Sequence, residues 1–207
     1  MLLVTVFGLG LFFTSWSLSS YLADSQTYVY LLKCATVVTG VAYNLPGVFH
    51  GNPFKDVVNG SLWSLPYEVR MYATLAIGWA AFRITKRFSM RAFGPAIVAV
   101  AVAAGMFVVA RHFYLPLDDQ FAILFFMFFS GAAFYVLKEH ITFSRSYFWL
   151  CVIALLSSAM ANTQAFFVVY VLTIAYTLFY LAYIPSGLVR KYNQVGDCSY
   201  GVYIYAF

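Results

Sequence analysis

The sequence predicts an all-α fold, a polytopic transmembrane helical bundle of about six complete spanning helices. It adds the start of a seventh and one interfacial or re-entrant helix. Three observations predict it. Hydrophobic residues make up 63% of the chain and charged residues 9%, where an ordinary soluble domain carries roughly 25% charged residues. Its 22 Phe and 17 Tyr bring more apolar surface than one soluble core of 207 residues hides. Apolar runs approaching the ~20 residues needed to cross a bilayer also recur along the chain.

In chain order, the first run covers 1–18. It lacks a basic n-region and an Ala-x-Ala site, so no cleavable signal peptide is expected. The stretch 28–43 is shorter and carries Lys33, which suits an interfacial or re-entrant helix. Further spans are expected at 62–82, 92–112, 121–138, 146–161 and 165–184, and a seventh begins near Ser199. Residues 19–61 then form one long connection, including Asn44-Leu45-Pro46-Gly47 and Gly51-Asn52-Pro53. Loops of that length are commonly functional or disordered. No internal repeat, low-complexity tract or soluble second domain stands out, so 1–207 is taken as one integral-membrane domain.

Loop charges set the orientation. The net charge of +5 is topological, because Lys and Arg collect in cytoplasmic loops. Loop 83–91 holds four cations and is expected in the cytoplasm, as are 139–145 and 185–196. With Lys138 included, eight of the twelve Lys and Arg lie on that side. The opposite loops carry Asp24, Asp56, Asp118 and Asp119 with Lys55. The alternation requires that 28–43 does not cross. No run alternates basic and aromatic residues as a nucleic-acid surface does, so no nucleic-acid partner is expected. Cys34, Cys151 and Cys198 lie far apart without metal-ligand spacing, so they are expected to be small buried side chains with no metal.

The most informative stretch is Val58 to Tyr72, which puts Glu68 and Arg70 at the entrance of an apolar segment. A charge at the bilayer centre costs about 2.5–3.5 kcal/mol on insertion scales, so such residues tend to have a task. A structural role competes: Pro66 suits a helical first turn, and a first-turn Glu complements the helix dipole. Ser61, Ser64, Glu68 and Tyr72 recur at three- and four-residue spacing, which predicts one polar helical face. Arg70 falls some 200° around from Glu68, so each needs its own partner. Arg111, at the outer end of 92–112, is a candidate partner for Glu68. His112 beside it is expected to be an interfacial polar residue, and His140 a solvated loop residue.

Asn59-Gly60-Ser61-Leu62-Trp63-Ser64-Leu65-Pro66-Tyr67-Glu68 resembles the signature of the acyltransferase-3 family of bacterial integral-membrane enzymes. Phe128 to Tyr135 resembles a small-residue helix of that family, and Gly196 to Tyr205 its late Gly-x-x-Ser-Tyr-Gly-x-Tyr segment. The approach, Tyr28 to Lys33 and Leu45 to Phe49, is similar too. The resemblance implies transfer of an acetyl or other short acyl group to hydroxyls of cell-surface or exported carbohydrate. The co-substrate would be acyl-CoA, in the family's usual case acetyl-CoA, with no bound cofactor, and the setting a bacterial cytoplasmic membrane. Glu68 becomes the catalytic candidate on the acceptor side. Asn59, Ser61, Trp63, Ser64, Tyr72, Arg111, Ser199 and Tyr200 become substrate-binding candidates.

The chain departs from the family's pattern in two places. An Arg, ten residues, then a His, regarded as catalytic, is absent: eleven residues before His50, His112 and His140 stand Thr39, Ala101 and Phe129. No Arg-x-x-Arg pair occurs either; Arg83 meets Lys86 at that offset. The expectation is therefore a fragment, inactive alone, of an acyltransferase that carries those residues upstream and continues beyond Phe207. A polytopic glycan transporter or flippase, or an inert remnant of the enzyme, are the alternatives. Inverted repeats would favour transport, and none is found.

Overall fold

The structure is a computed structural model that describes residues 2–37, 39–53, 56–84, 90–115 and 120–184. The described residues are all-helical and form no named strand; two isolated bridges join Thr14 to Val48 and Asn44 to Val57. Eight helices appear among them: α1 Leu2–Phe13, α2 Leu18–Ala23, α3 Ser25–Thr36, α4 Leu65–Ile84, α5 Phe93–Tyr114, α6 Gln120–Val136, α7 Arg145–Ala161 and α8 Thr163–Tyr183. They fall into two compact units, one ending at Ala73 and one beginning at Thr74, with the boundary inside α4.

In the first unit, the expected 1–18 span is corrected to twelve helical residues, 2–13, about 18 Å at 1.5 Å per residue. Hydroxyl side chains stop it. Thr14 turns extended, its Oγ1 donates to the Pro46 carbonyl at 2.8 Å, and the Ser15 amide donates to Gly47 O at 2.9 Å. Ser17 then caps α2. The middle of α1, Thr5–Gly10, winds as a π-helix. There the Tyr21 hydroxyl donates to Val6 O at 3.0 Å and occupies the space where a Cβ on Gly10 would stand. Gly47 closes the adjoining turn at φ +71°, where any Cβ would strike Trp16 and Thr14.

The 28–43 helix is corrected to Ser25–Thr36, ended by Val37 in the left-handed region at φ 57°. Among the described residues, 19–61 thus holds two helices and packed irregular chain. Thr27, Tyr30 and Cys34 recur along the buried face of α3. With Val6, Tyr21, Leu45, Val48 and Leu62, the last two of these α3 residues form the core of this unit.

In the second unit, neighbouring helices run antiparallel. Gly94 of α5 faces Val136 of α6 and Gly105 faces Phe126, each at 3.0 Å from a notional Cβ. Small residues there let two helices approach closely, as in membrane bundles. Ile97, Ala101, Phe129 and Ala133 fill one contact; Val108, Phe126 and Val171 fill the next. Asn162 joins α7 to α8, capping α8 by accepting from Ala165 N at 2.7 Å. At the other end the Tyr176 hydroxyl accepts from Ser144 N at 2.9 Å and holds the loop before α7. Phe134 and Phe148 stack on Phe179 and Tyr180, binding α6 and α7 to α8.

The expected spans 92–112, 121–138, 146–161 and 165–184 match α5 to α8 to within three residues, and 62–82 matches α4; the seventh, near Ser199, lies outside the described residues. Two helices, α5 and α8, are long and apolar enough to cross a membrane. Helix α4 has the length, but Glu68, Arg70 and Arg83 dilute its apolar character. Helices α6 and α7 have 17 residues each, about 25 Å. The antiparallel order brings Arg83, Arg91, Lys138 and Arg145 to one end of this unit. Exposed Trp79, Tyr135, Tyr147 and Trp149 lie at that same end. Arg83 and Lys138 sit over the rings of Trp79 and Tyr135, at 5.1 and 4.8 Å.

Candidate functional site

Asn59 begins the site by capping a 3₁₀ turn, Gly60–Ser64. Its Oδ1 accepts from the Ser61 amide at 3.1 Å and from Ser61 Oγ at 2.6 Å. Leu62 and Leu65 then pack on the core of the first unit, which seats the turn. Residues three apart eclipse in a 3₁₀ helix, so Ser61 and Ser64 come to one side, and both are buried. Ser64 Oγ reaches one turn onward and donates to Glu68 Oε1 at 2.8 Å. A hydrogen bond to a carboxylate is stronger than a neutral one and fixes which way the carboxylate points.

A second row runs beside the first. The Trp63 ring meets Tyr67 edge-on at 6.3 Å, and the Arg70 guanidinium lies 5.9 Å from the centre of the Tyr67 ring. Glu68 and Arg70 therefore serve different faces, as their spacing predicts. Tyr72 is 62% exposed, against 1% for Ser61. Each four-residue step along an α-helix drifts about 40°, so two steps from Ser64 carry Tyr72 some 80° aside.

Beneath this segment lies a cluster of buried phenols that the sequence reading missed, beside the Cys34 thiol, which is buried as expected. Burial pushes the Tyr30 phenol well above its ordinary value, and the adjacent Cys34 thiol pushes it further. Burial also raises the Cys34 thiol, whose Sγ donates to Ala42 O at 3.3 Å, so this cysteine is not an activated nucleophile. Tyr43 is raised by burial first and then by the Tyr67 phenol, which ties the irregular stretch to α4 beside Glu68. The spacing of Thr27, Tyr30 and Cys34 was the available signal, since it marks one face of a helix.

These raised phenols carry a pH signature. A tyrosine whose pKa rises on folding holds its proton where the unfolded chain, with an ordinary value near 10, has released it. Stability is fully present below about pH 10 and falls as pH climbs toward the folded value. Thermal unfolding in detergent micelles should show this loss setting in near the ordinary tyrosine value of about 10 and deepening as pH rises further. Tyr30→Phe should flatten it, and an unchanged slope would remove Tyr30 as its source.

Arg111 belongs to the second unit, with its guanidinium 5.7 Å from the Phe107 ring centre. Beside it, His112 stacks on Phe167 at 3.9 Å, a packing role. His140 is exposed in the turn after α6. His50 meets Asp56 across an irregular turn whose Phe49 and Asp56 have φ of 60° and 64°. Ser199 and Tyr200 lie outside the described residues, as do Cys198, Asp118, Asp119 and Lys55. Among the described residues no three His, Cys, Asp or Glu side chains gather as metal ligands. The arrangement can accept and orient a hydroxyl through the Glu68 carboxylate. Comparison with protein-family models, with curated proteins and with solved structures finds no match.

Proposed function

We propose that this chain is the acceptor-side part of a membrane-embedded O-acyltransferase. The enzyme would move an acetyl or other short acyl group from acyl-CoA to a hydroxyl of surface or exported carbohydrate. The observation that carries this reading is the Ser64–Glu68 hydrogen bond inside the Asn59-to-Glu68 motif, locked in place by Asn59 and Ser61. An oriented carboxylate accepts a hydrogen bond from the acceptor hydroxyl and draws off its proton. The hydroxyl oxygen then attacks the thioester carbonyl, the C–S bond breaks, and the thiolate leaving as CoA takes up a proton.

The membrane setting is supported by the two helices long and apolar enough to cross, and by the cations and exposed aromatics at one end of the second unit. Aromatics favour the membrane–water interface and Lys and Arg the cytoplasmic side. We take that end as cytoplasmic, in a bacterial inner membrane, with α4 to α8 crossing. Helices shorter than the ~30 Å hydrocarbon core are accommodated by local thinning.

The test is transfer of label from radioactive acetyl-CoA to surface glycan. Fused in frame to a segment supplying the Arg-x10-His pattern, the chain should direct incorporation. The 207-residue chain alone should direct none. Incorporation by the chain alone would show that the chemistry lies elsewhere.

A further inference from the structure

Between α6 and α8, at the end of the second unit that gathers cations, lies a pocket of about 340 Å³. Its wall is an aromatic slab: Phe134 stacks on Phe179 at 5.0 Å, and Phe179 on Tyr183 at 6.0 Å. Gly131 leaves the floor open, and a Cβ there would only touch Phe179 at 3.9 Å. Tyr135 and Lys138 form the rim, the ammonium 4.8 Å from the Tyr135 ring centre. One mouth of the pocket is thus cationic and hydroxyl-bearing, while its body is hydrocarbon and aromatic. Glu139 and His140 follow Lys138 and are exposed, and Arg145 opens α7 at the same end.

We propose that this pocket binds an anionic membrane phospholipid, with its phosphate at Lys138 and Tyr135 and its upper acyl chain along Phe134 and Phe179. The chemistry is amphipathic in one direction, as a phospholipid is. Lys138 is the pocket's one cation among the described lining residues, matching a single phosphate group. At 340 Å³ the space takes a phosphoglycerol head and a few methylenes, and lies at the small end of ligand sites. A nucleotide-bearing acyl donor is too large and too highly charged for it. Basic pockets at the cytoplasmic ends of membrane helices hold anionic headgroups by the same physics. The proposal rests on the bilayer insertion of the second unit and is independent of the acyltransferase reading.

The experiment uses the full chain purified in mild detergent, delipidated, and titrated with dioleoylphosphatidylglycerol or dioleoylphosphatidylcholine, bound lipid being counted by native mass spectrometry. Phosphatidylglycerol should be retained in preference. Lys138→Gln, at an exposed position, should weaken that retention about fivefold, the effect of one lysine near an anionic headgroup. Phosphatidylcholine retention should not change, and Arg145→Gln should leave both as they were. Millimolar inorganic phosphate should not displace the lipid; displacement would assign the site to free phosphate. Equal retention of both lipids, or a preference that survives Lys138→Gln, overturns the proposal. Release of the chain from membranes by a carbonate wash would instead defeat the membrane reading, and the lipid site with it.

Discussion

Glu68→Gln is expected to abolish acylation of surface glycan by an enzyme containing this segment, while leaving membrane insertion and abundance unchanged. Glutamine keeps an oxygen that accepts from Ser64 Oγ, which lies 2.8 Å from Glu68 Oε1, so the local fold survives. What goes is the negative charge and the ability to take a proton. Proton transfer by a positioned side chain is worth about 10²–10⁴-fold, so the rate should fall by that much. Ser64→Ala should cost less, since it frees the carboxylate to rotate without removing it. A hydrogen bond to a charged group contributes about 1.5–3 kcal/mol, or roughly ten- to a hundredfold. The order Glu68→Gln below Ser64→Ala below the unaltered enzyme is the diagnostic result. Acylation unchanged in Glu68→Gln would defeat the assignment, and equal losses would make Glu68 a structural cap of α4.

Gly10→Ala should markedly lower the stability of the first unit. A Cβ at Gly10 would overlap the Tyr21 hydroxyl oxygen and stand 2.9 Å from the ring carbon that bears it. Tyr21 is fully buried, so the ring has nowhere to retreat without breaking its bond to Val6 O and opening the core. Overpacking a dense core costs about 1–3 kcal/mol, and a buried hydrogen bond lost with it adds roughly 1 kcal/mol. Thermal unfolding in micelles should show a lower midpoint. In the double variant Gly10→Ala with Tyr21→Phe, part of that loss should return, because the atom closest to the new methyl is gone. Additive losses in the double variant would refute the contact.

Both effects depend on one local arrangement. Tyr21 and Leu62 share a core, so the site segment rests on the same packing that Gly10 permits. Gly10→Ala should therefore lower activity as well as stability if the Asn59-to-Glu68 turn loses its seat.

Much of this was legible in the residues. Apolar runs located α4 to α8 because helix length and hydrophobicity are local properties that each segment carries with it. The 200° separation of Glu68 from Arg70 follows from helical pitch alone, and their different faces agree with it. The run 1–18 failed because composition does not register a break made by four consecutive residues, Thr14 to Ser17. Thr14 and Ser15 find their partners at Pro46 and Gly47, more than thirty residues away. Tyr72 is exposed where Ser61 and Ser64 are buried, because two four-residue steps of α-helix carry it about 80° around from Ser64.

The chain's helical character, its apolar runs and the angular separation of Glu68 from Arg70 were set by residue type and spacing, which act over one or two turns. Tertiary packing decided where α1 ends, that the 19–61 stretch folds around Tyr21 and Tyr30, and that phenols and a thiol lie beneath the signature turn. Those outcomes depend on long-range partners, such as Tyr21 reaching Val6 and Tyr43 nearing Tyr67, whose proximity no local pattern encodes. The Asn59-to-Glu68 stretch stands at the meeting of the two. Its polar side chains lie close in sequence, and the core under Leu62 gives the turn that carries them a fixed seat.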